Sequence, residues 1–281
     1  MIEIGKLTKQ YGDYCLDISL EIPDGMITGV IGKNGAGKST MIKAILGLIQ
    51  PTSGTVKVFG KDVKSLTPAD KCEIGVAMAE SGFSMYLTAK DVAGILKKMY
   101  PRFHEDFFVE KCRQLGLPMK KQIKDYSTGM KAKLRVLVAI SHEARLLILD
   151  EPTAGLDVEA RNDILDMLRQ YMAEDESRSI LISSHISSDL EGLCDDIFLI
   201  HDGKLLLHEE TDNIMSSYAL VKVDEHDYEA IDKTHFLACK KENFGYVCLT
   251  DQKQYYLENY PKAVVENGNI DEIILMMTGG K

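Results

Sequence analysis

A chain of 281 residues has room for one large domain, or a medium domain with a small appendage, and either buries a substantial core. Hydrophobic residues at 45% and charged residues at 27% are ordinary for a soluble protein, and no apolar run approaches a membrane span, so any membrane role needs another chain. A net charge of −10, from 43 acidic against 33 basic residues, argues against a general affinity for nucleic-acid phosphates, and no nucleic acid is expected as a partner. The start, Met1-Ile2-Glu3-Ile4-Gly5-Lys6, lacks the layout of a secretory signal and predicts a cytoplasmic chain. Cysteines 15, 72, 112, 194, 239 and 248 form no Cys-x-x-Cys pair and no metal-ligand spacing, and they read as reduced residues, mostly packing.

Residues 2–4 and 14–22 read as strands, the second with Leu16, Ile18, Leu20 and Ile22 alternating with polar residues as in a half-exposed antiparallel strand. Between them Tyr11 is either an adenine-stacking platform or a packing residue, and spacing alone favours packing. Asp24-Gly25 turns into an apolar strand at 26–31, followed by Gly32-Lys33-Asn34-Gly35-Ala36-Gly37-Lys38-Ser39-Thr40 and a helical pattern over 41–49. That strand, loop and helix form the context of a phosphate-binding loop. The glycines bring backbone N–H groups close to phosphate oxygens, and the helix adds its positive end. Lys38 can reach the β- and γ-phosphates, while the Ser39 hydroxyl is placed to ligate Mg²⁺.

Short strands are predicted at 55–59 and 74–78. From 88 to about 117 the apolar residues recur at helical spacing, which predicts an inserted helical subdomain. Tyr126-Ser127-Thr128-Gly129-Met130 precedes a helix expected over 131–142. The buried strand 146–149 ends in Asp150-Glu151, and Asp157 is the expected N-cap of a helix over 158–172. Asp150 is placed to hold Mg²⁺ opposite Ser39, and Glu151 to polarise an attacking water. His185 stands at the end of strand 180–184, 35 residues after Asp150, where it would hydrogen-bond a γ-phosphate. Strands 197–201 and 204–207 form a hairpin about Asp202-Gly203. The alternation of strands and helices predicts a mostly parallel sheet with helices on both faces.

Beyond about residue 211 the pattern changes. Six of the 12 tyrosines lie in 212–281, with apolar runs at 218–223, 246–249 and 263–265 and an amphipathic stretch at 270–277. Aromatic and β-branched residues are scarce in disordered tails, so a small α+β appendage with its own minor core is expected.

Together these residues make the chain resemble the nucleotide-binding subunit of an ABC transporter over about residues 1–210. The resemblance implies an α/β fold, a phosphate-loop ATPase domain with an antiparallel β subdomain and a helical subdomain at about 85–142, plus the accessory unit 211–281. It casts Asn34, Gly35, Ala36, Gly37, Lys38, Ser39 and Thr40 as ATP and Mg²⁺ residues, Asp150 as the metal carboxylate, Glu151 as the general base and His185 as the switch histidine. Tyr11 becomes the adenine-stacking aromatic, against the preference from spacing. Residues 126–130 correspond to the signature motif, normally Leu-Ser-Gly-Gly-Gln, which completes the ATP site of a second subunit in a head-to-tail dimer. Ser127 and Gly129 survive there, and Asp157 is a contact across the dimer. The family also places a Gln, Glu or Asp after strand 74–78 to touch Mg²⁺. Gapless matching puts Ala79 there, with Glu80 one residue later, so either Ala79 holds the position or Glu80 serves as the metal contact in its place.

The short insert, the signature and the tyrosine-rich appendage resemble exporters that work without a binding protein. The resemblance thus implies a homodimer with ATP sandwiched at its interface, acting on a separate transmembrane permease at the cytoplasmic face of the membrane. The substrate expected is an amphipathic peptide or antimicrobial compound. The alternative is a soluble ABC-type ATPase switching a cytosolic partner, but the chain has no tandem second ATPase unit and no basic surface excess.

Overall fold

The computed structural model describes residues 1–78 and 83–279. Strands β1 (Ile2–Tyr11) and β2 (Tyr14–Ile22) form a hairpin, followed by β3 (Ile27–Ile31) and α1 (Lys38–Ile45). Next come β4 (Ser53–Val58), β5 (Lys61–Asp62), α2 (Pro68–Cys72) and β6 (Ile74–Ala77). Helices α3 (Ala89–Met99), α4 (Glu105–Gln114) and α5 (Thr128–Ile140) make up the helical insert and its return to the sheet. The chain continues through β7 (Leu146–Asp150), α6 (Val158–Ala173), β8 (Ser179–Ser184), α7 (Ser187–Glu191), β9 (Asp196–His201) and β10 (Lys204–Glu210).

These ten strands form one sheet in the order β5-β4-β1-β2-β10-β9-β3-β8-β7-β6. The run β9-β3-β8-β7-β6 is parallel. Beyond it β2 and β10 meet in a short parallel pairing at Asp17 and Lys204, while β5-β4, β4-β1, β1-β2 and β10-β9 are antiparallel, so the sheet is mixed where a mostly parallel one was expected. The cause is local, because strands joined by turns as short as 12–13 or 202–203 can pair only antiparallel. Strand β1 also runs seven residues beyond the predicted 2–4, to Tyr11. A register shift between Ile4 and Leu7, with Lys6 at φ 48°, breaks the period-two alternation there and hides the strand from the pattern. Helix α5 begins at Thr128 rather than 131, since the Ser127 hydroxyl accepts the Met130 N–H at 3.2 Å as its N-cap.

Two apolar layers sandwich the sheet. On one face Leu16 and Ile22 pack with Met41, Ile42 and Ile45 of α1, together with Ile148 and Leu181. On the other face Leu147, Leu149, Ile180 and Ile182 meet Leu134 and Leu137 of α5 and Ile164 and Leu168 of α6. The insert joins this second layer through Val92, Leu96 and Phe108. A Cβ at Gly75 would stand 2.3 Å from the Ala139 carbonyl, so only glycine lets α5 lie this close to β6. Behind the strand ends, Asp189 of α7 is fully buried and accepts the Thr153 hydroxyl at 2.5 Å and the Arg161 guanidinium of α6. This cluster ties the loop after β7, the start of α6 and the segment after His185 into one unit.

The remaining residues form α8 (Thr211–Ser217), β11 (Ala219–Val223), α9 (Glu225–Ala230), β12 (Phe236–Glu242), β13 (Gly245–Thr250), α10 (Lys253–Asn259), β14 (Val264–Asn267) and α11 (Ile270–Met277). Their four strands make a separate antiparallel sheet in the order β12-β13-β11-β14. One face, with α8 and α11, sends Ile214, Leu220, Leu249, Ile270 and Ile273 into the layer shared with the main sheet. The other face carries a small core of Val221, Val223, Ile231 and Tyr256. Tyr256 is fully buried, stacks on Phe236 at 4.8 Å and donates its hydroxyl to the Asp232 carbonyl at 2.8 Å. Among the described residues no helix is long and apolar enough to cross a membrane.

Replacing Asp189 by Ala strands the Arg161 charge and is expected to cost about 3 kcal/mol of stability, measured by denaturant unfolding. Truncating Tyr256 to Ala should cost about 3 kcal/mol locally. Amide exchange would then quicken across residues 219–267 while β7 keeps its protection.

Candidate nucleotide site

Strand β3 is buried along its whole length between β8 and β9, so the loop that follows emerges at the C-terminal end of the parallel strands. The loop is pinned from behind at Ala36, whose carbonyl accepts the Gly203 N–H and the Tyr14 hydroxyl, each at 3.0 Å. Burial, with Cys15 and Asp202 nearby, raises the Tyr14 pKa, which keeps that hydroxyl a neutral donor. Gly37 has φ 117°, and a Cβ there would meet the Tyr14 hydroxyl oxygen at 2.3 Å. Both the backbone conformation and the contact therefore demand glycine. No side chain caps α1, so its first-turn N–H groups stay directed at the loop.

Lys38 opens α1 and is only 5% exposed. Its ammonium donates to the Gly32 carbonyl at 2.5 Å and lies 3.0 Å from Oε1 of Glu151. Glu151 holds a left-handed backbone, φ 50°, just past the end of β7. Its N–H is fixed by Ser183 of β8, bonding the carbonyl at 3.2 Å and Oγ at 3.0 Å. The second carboxylate oxygen, Oε2, meets Nδ1 of His185 at 2.6 Å and accepts the His185 N–H at 3.3 Å. Asp150, buried, takes the Ser183 hydroxyl on Oδ1 at 2.6 Å. Parallel register produces this convergence, with Asp150 beside Ser183 and Ile31 beside Ser184. Lys38, Glu151 and His185 thus form one chain of polar contacts across three strand ends.

Other predicted residues stand apart from that chain. Tyr11 lies at the turn end of the β1–β2 hairpin, paired with Tyr14 and 47% exposed, with the Lys9 ammonium 5.2 Å from its ring centre. It is not a core residue, which corrects the preference for packing drawn from spacing. Ser127 and Gly129 sit at the start of α5, where a Cβ on Gly129 would come within 2.9 Å of Ala160 and α5 therefore lies tight against α6. Asp157 caps α6, accepting the Ala160 N–H at 2.8 Å. Among the described residues no hydrogen bond or ion pair joins Ser127, Gly129 or Asp157 to Lys38, Glu151 or His185. Ala79 and Glu80 lie outside the described residues. Tyr126, where the family motif carries Leu, fills a buried position and donates its hydroxyl to the Pro118 carbonyl at 2.7 Å. That departure is therefore an exchange of one core side chain for another.

Two features escaped the sequence. Ser183 holds Asp150 and Glu151 together, and the serine pair closing an otherwise apolar strand was its signal. Helix α11 lies beside the site, where Asp271, Ile274 and Leu275 wall a cavity of about 320 Å³ with Gly32, Lys33, Asn34 and His185. No local pattern announces that neighbourhood.

Residues 15–154 match the family model for the ABC transporter. Over 297 aligned positions the chain is 31% identical to the ABC transporter ATP-binding protein YtrB of Bacillus subtilis (strain 168), covering 100% of this chain and 99% of that one. It is 37% identical to the bacitracin transport ATP-binding protein BcrA of Enterococcus faecalis, over 73% of this chain and 68% of the relative. A solved ATP-binding subunit of an ABC transporter superposes with a TM-score of 0.67 at 26% identity, covering 76% of this chain and 91% of that one. An end-to-end alignment at this identity, with the family match laid over the phosphate loop and the end of β7, establishes that the chain belongs to the ABC transporter ATP-binding proteins and is an ABC-type ATPase.

Proposed function

We propose that this ATPase powers export of an antimicrobial compound through a separate permease, working as a homodimer at the cytoplasmic face of the membrane. The observation that carries the hydrolytic reading is the Glu151 carboxylate held between Lys38 and His185 at a phosphate loop. The substrate class is supported by the likeness to BcrA, named for bacitracin transport.

In this reading the backbone of residues 34–37 and the first turn of α1 receive the phosphates, with Ser39 and Thr40 in that turn. The multiply charged triphosphate outcompetes one carboxylate for the Lys38 ammonium. Glu151, released at Oε1, is then free to accept a proton from the attacking water while Oε2 stays on His185. His185, 40% exposed, is the group able to turn toward a γ-phosphate. Ser39 and Asp150 suit Mg²⁺, a hard cation that takes oxygen ligands. The Ser39 hydroxyl makes no hydrogen bond among the described residues, and Asp150 commits only Oδ1 to Ser183. The ion would neutralise charge on the β- and γ-phosphates. The exposed Tyr11 ring suits adenine stacking, and Ser127, Gly129 and Asp157 present hydroxyl, backbone and carboxylate to a second copy.

Residues 1–210 are the ATPase unit in this scheme, and 211–281 an accessory unit whose α11 lines the edge of the site. The permease is assigned to an apolar groove of about 810 Å³ between β6, α3 and α5, into which Val76, Met85, Leu96, Met99 and Leu134 project. Met99 is 59% exposed, and an apolar groove of that size suits a short amphipathic helix of a membrane chain.

Glu151→Gln should retain ATP binding and lose hydrolysis by about a hundredfold or more, measured by phosphate release; turnover close to the unmodified protein would refute the base assignment. The same variant, drawn from native membranes with ATP, should bring a polytopic membrane protein with it. Met99→Glu should leave ATPase activity of the isolated subunit unchanged while cutting recovery of that membrane protein by about tenfold.

A further inference from the structure

Cys239 of β12 and Cys248 of β13 stand directly opposite each other in the antiparallel register. Directly opposed residues send their side chains to the same face of a sheet. Their Cα atoms are about 4.5 or 5.5 Å apart, depending on the hydrogen-bonding phase, and both spacings fall inside the range of about 4.4 to 6.8 Å that a disulfide spans. Both thiols are free, Cys239 exposed and Cys248 fully buried. The face they share is the one turned away from the ATPase sheet, with Tyr228 and Tyr246.

The surroundings treat the two thiols differently. Cys239 accepts hydrogen bonds from the Cys248 thiol and the Tyr228 hydroxyl, with the Lys233 ammonium nearby, and its pKa is pulled down to about 7 against a smaller opposing effect of partial desolvation. The same thiol contact, with burial, pushes Cys248 up. Tyr228 is held as a donor by stacking on Tyr246 at 3.7 Å, and the Lys233 ammonium lies 4.4 Å from the Tyr228 ring centre. Cys112 and Cys194 are buried, and burial raises both. Cys15 pairs across its strand with Gln10 and has no cysteine opposite.

We propose that Cys239 and Cys248 form a peroxide-oxidisable dithiol that closes into a β12–β13 disulfide, a modification site separate from the nucleotide site. The Cys239 thiolate attacks one oxygen of hydrogen peroxide, an S–O bond forms, the O–O bond breaks, and the departing hydroxide leaves as water after taking a proton. Sulfur is oxidised to the sulfenic acid and peroxide is reduced. Cys248 sulfur then attacks the sulfenic sulfur, the S–S bond forms, and the S–O bond breaks. Hydroxide leaves with the Cys248 proton as a second water, so one peroxide accounts for the whole two-electron oxidation. Because β12 is the edge strand of its sheet, the bond would staple that edge to its only neighbour.

The test is to titrate the reduced full-length protein with hydrogen peroxide, quench with an alkylating agent and map the peptides by mass. One equivalent should yield a reducible Cys239–Cys248 cross-link short of two hydrogens, formed about tenfold faster than any change at Cys15 or Cys72. The rate should climb with pH through about 7 and level off above it, because the thiolate reacts. Cys248→Ser should halt the reaction at a Cys239 sulfenic acid captured by dimedone, and Cys248→Ala repeats the measurement should the serine disturb the buried position. Oxidation of Cys15 or Cys72 ahead of the pair, or no dimedone adduct at Cys239 in either variant, would overturn the proposal.

Discussion

A positive charge taken out of water has to be paired, and the buried ammonium of Lys38 sets the geometry of the whole site. Its partners come from separate parts of the chain: the Gly32 carbonyl from the loop and the Glu151 carboxylate from the end of β7. For both to reach one nitrogen, β3 and β7 must end at the same level, with β8 between them. The parallel register supplies that level, and Ser183 of β8 converts it into hydrogen bonds to both Asp150 and Glu151. His185 then closes the chain on the remaining carboxylate oxygen.

The rigidity of this arrangement comes from behind the strand ends. Tyr14 and Gly203, both from the antiparallel half of the sheet and its hairpins, grip the Ala36 carbonyl. Asp189 grips Thr153 and Arg161 on the opposite side. The antiparallel strands therefore do more than extend the sheet. They hold the phosphate loop at its back, and the buried Asp189 cluster ties the loop after the Asp-Glu strand end to the segment after the histidine.

The C-terminal sheet is joined to this body without being merged into it. Its inner face completes the apolar layer that α5 and α6 begin, while its outer face needs Tyr256 and its aromatic neighbours to bury what remains. A unit with a core on one face and a shared layer on the other has a defined position, and that position brings α11 to the edge of the phosphate loop. The outer face is free of that constraint, and there the opposed cysteine pair lies.

Features carried by near neighbours in the chain were legible in advance. The phosphate loop and the Asp150-Glu151 strand end follow from residue types at fixed spacings, because phosphate binding needs bare N–H groups at a helix start and a carboxylate at a strand end. Strand β2 and helix α11 carry unbroken periods of 2 and 3.6, and their bounds follow from those periods. Strand β1 was hidden where a bulge reverses its phase, and α5 starts directly after the Ser127 cap, at Thr128, three residues ahead of the predicted 131. Tertiary structure alone decided the ion pairing of Lys38 with Glu151, the exposure of Tyr11, the placement of α11 beside His185 and the opposition of Cys239 to Cys248. Each depends on which strands become neighbours and in what register, and register is set by the packing of whole faces rather than by any local run of residues.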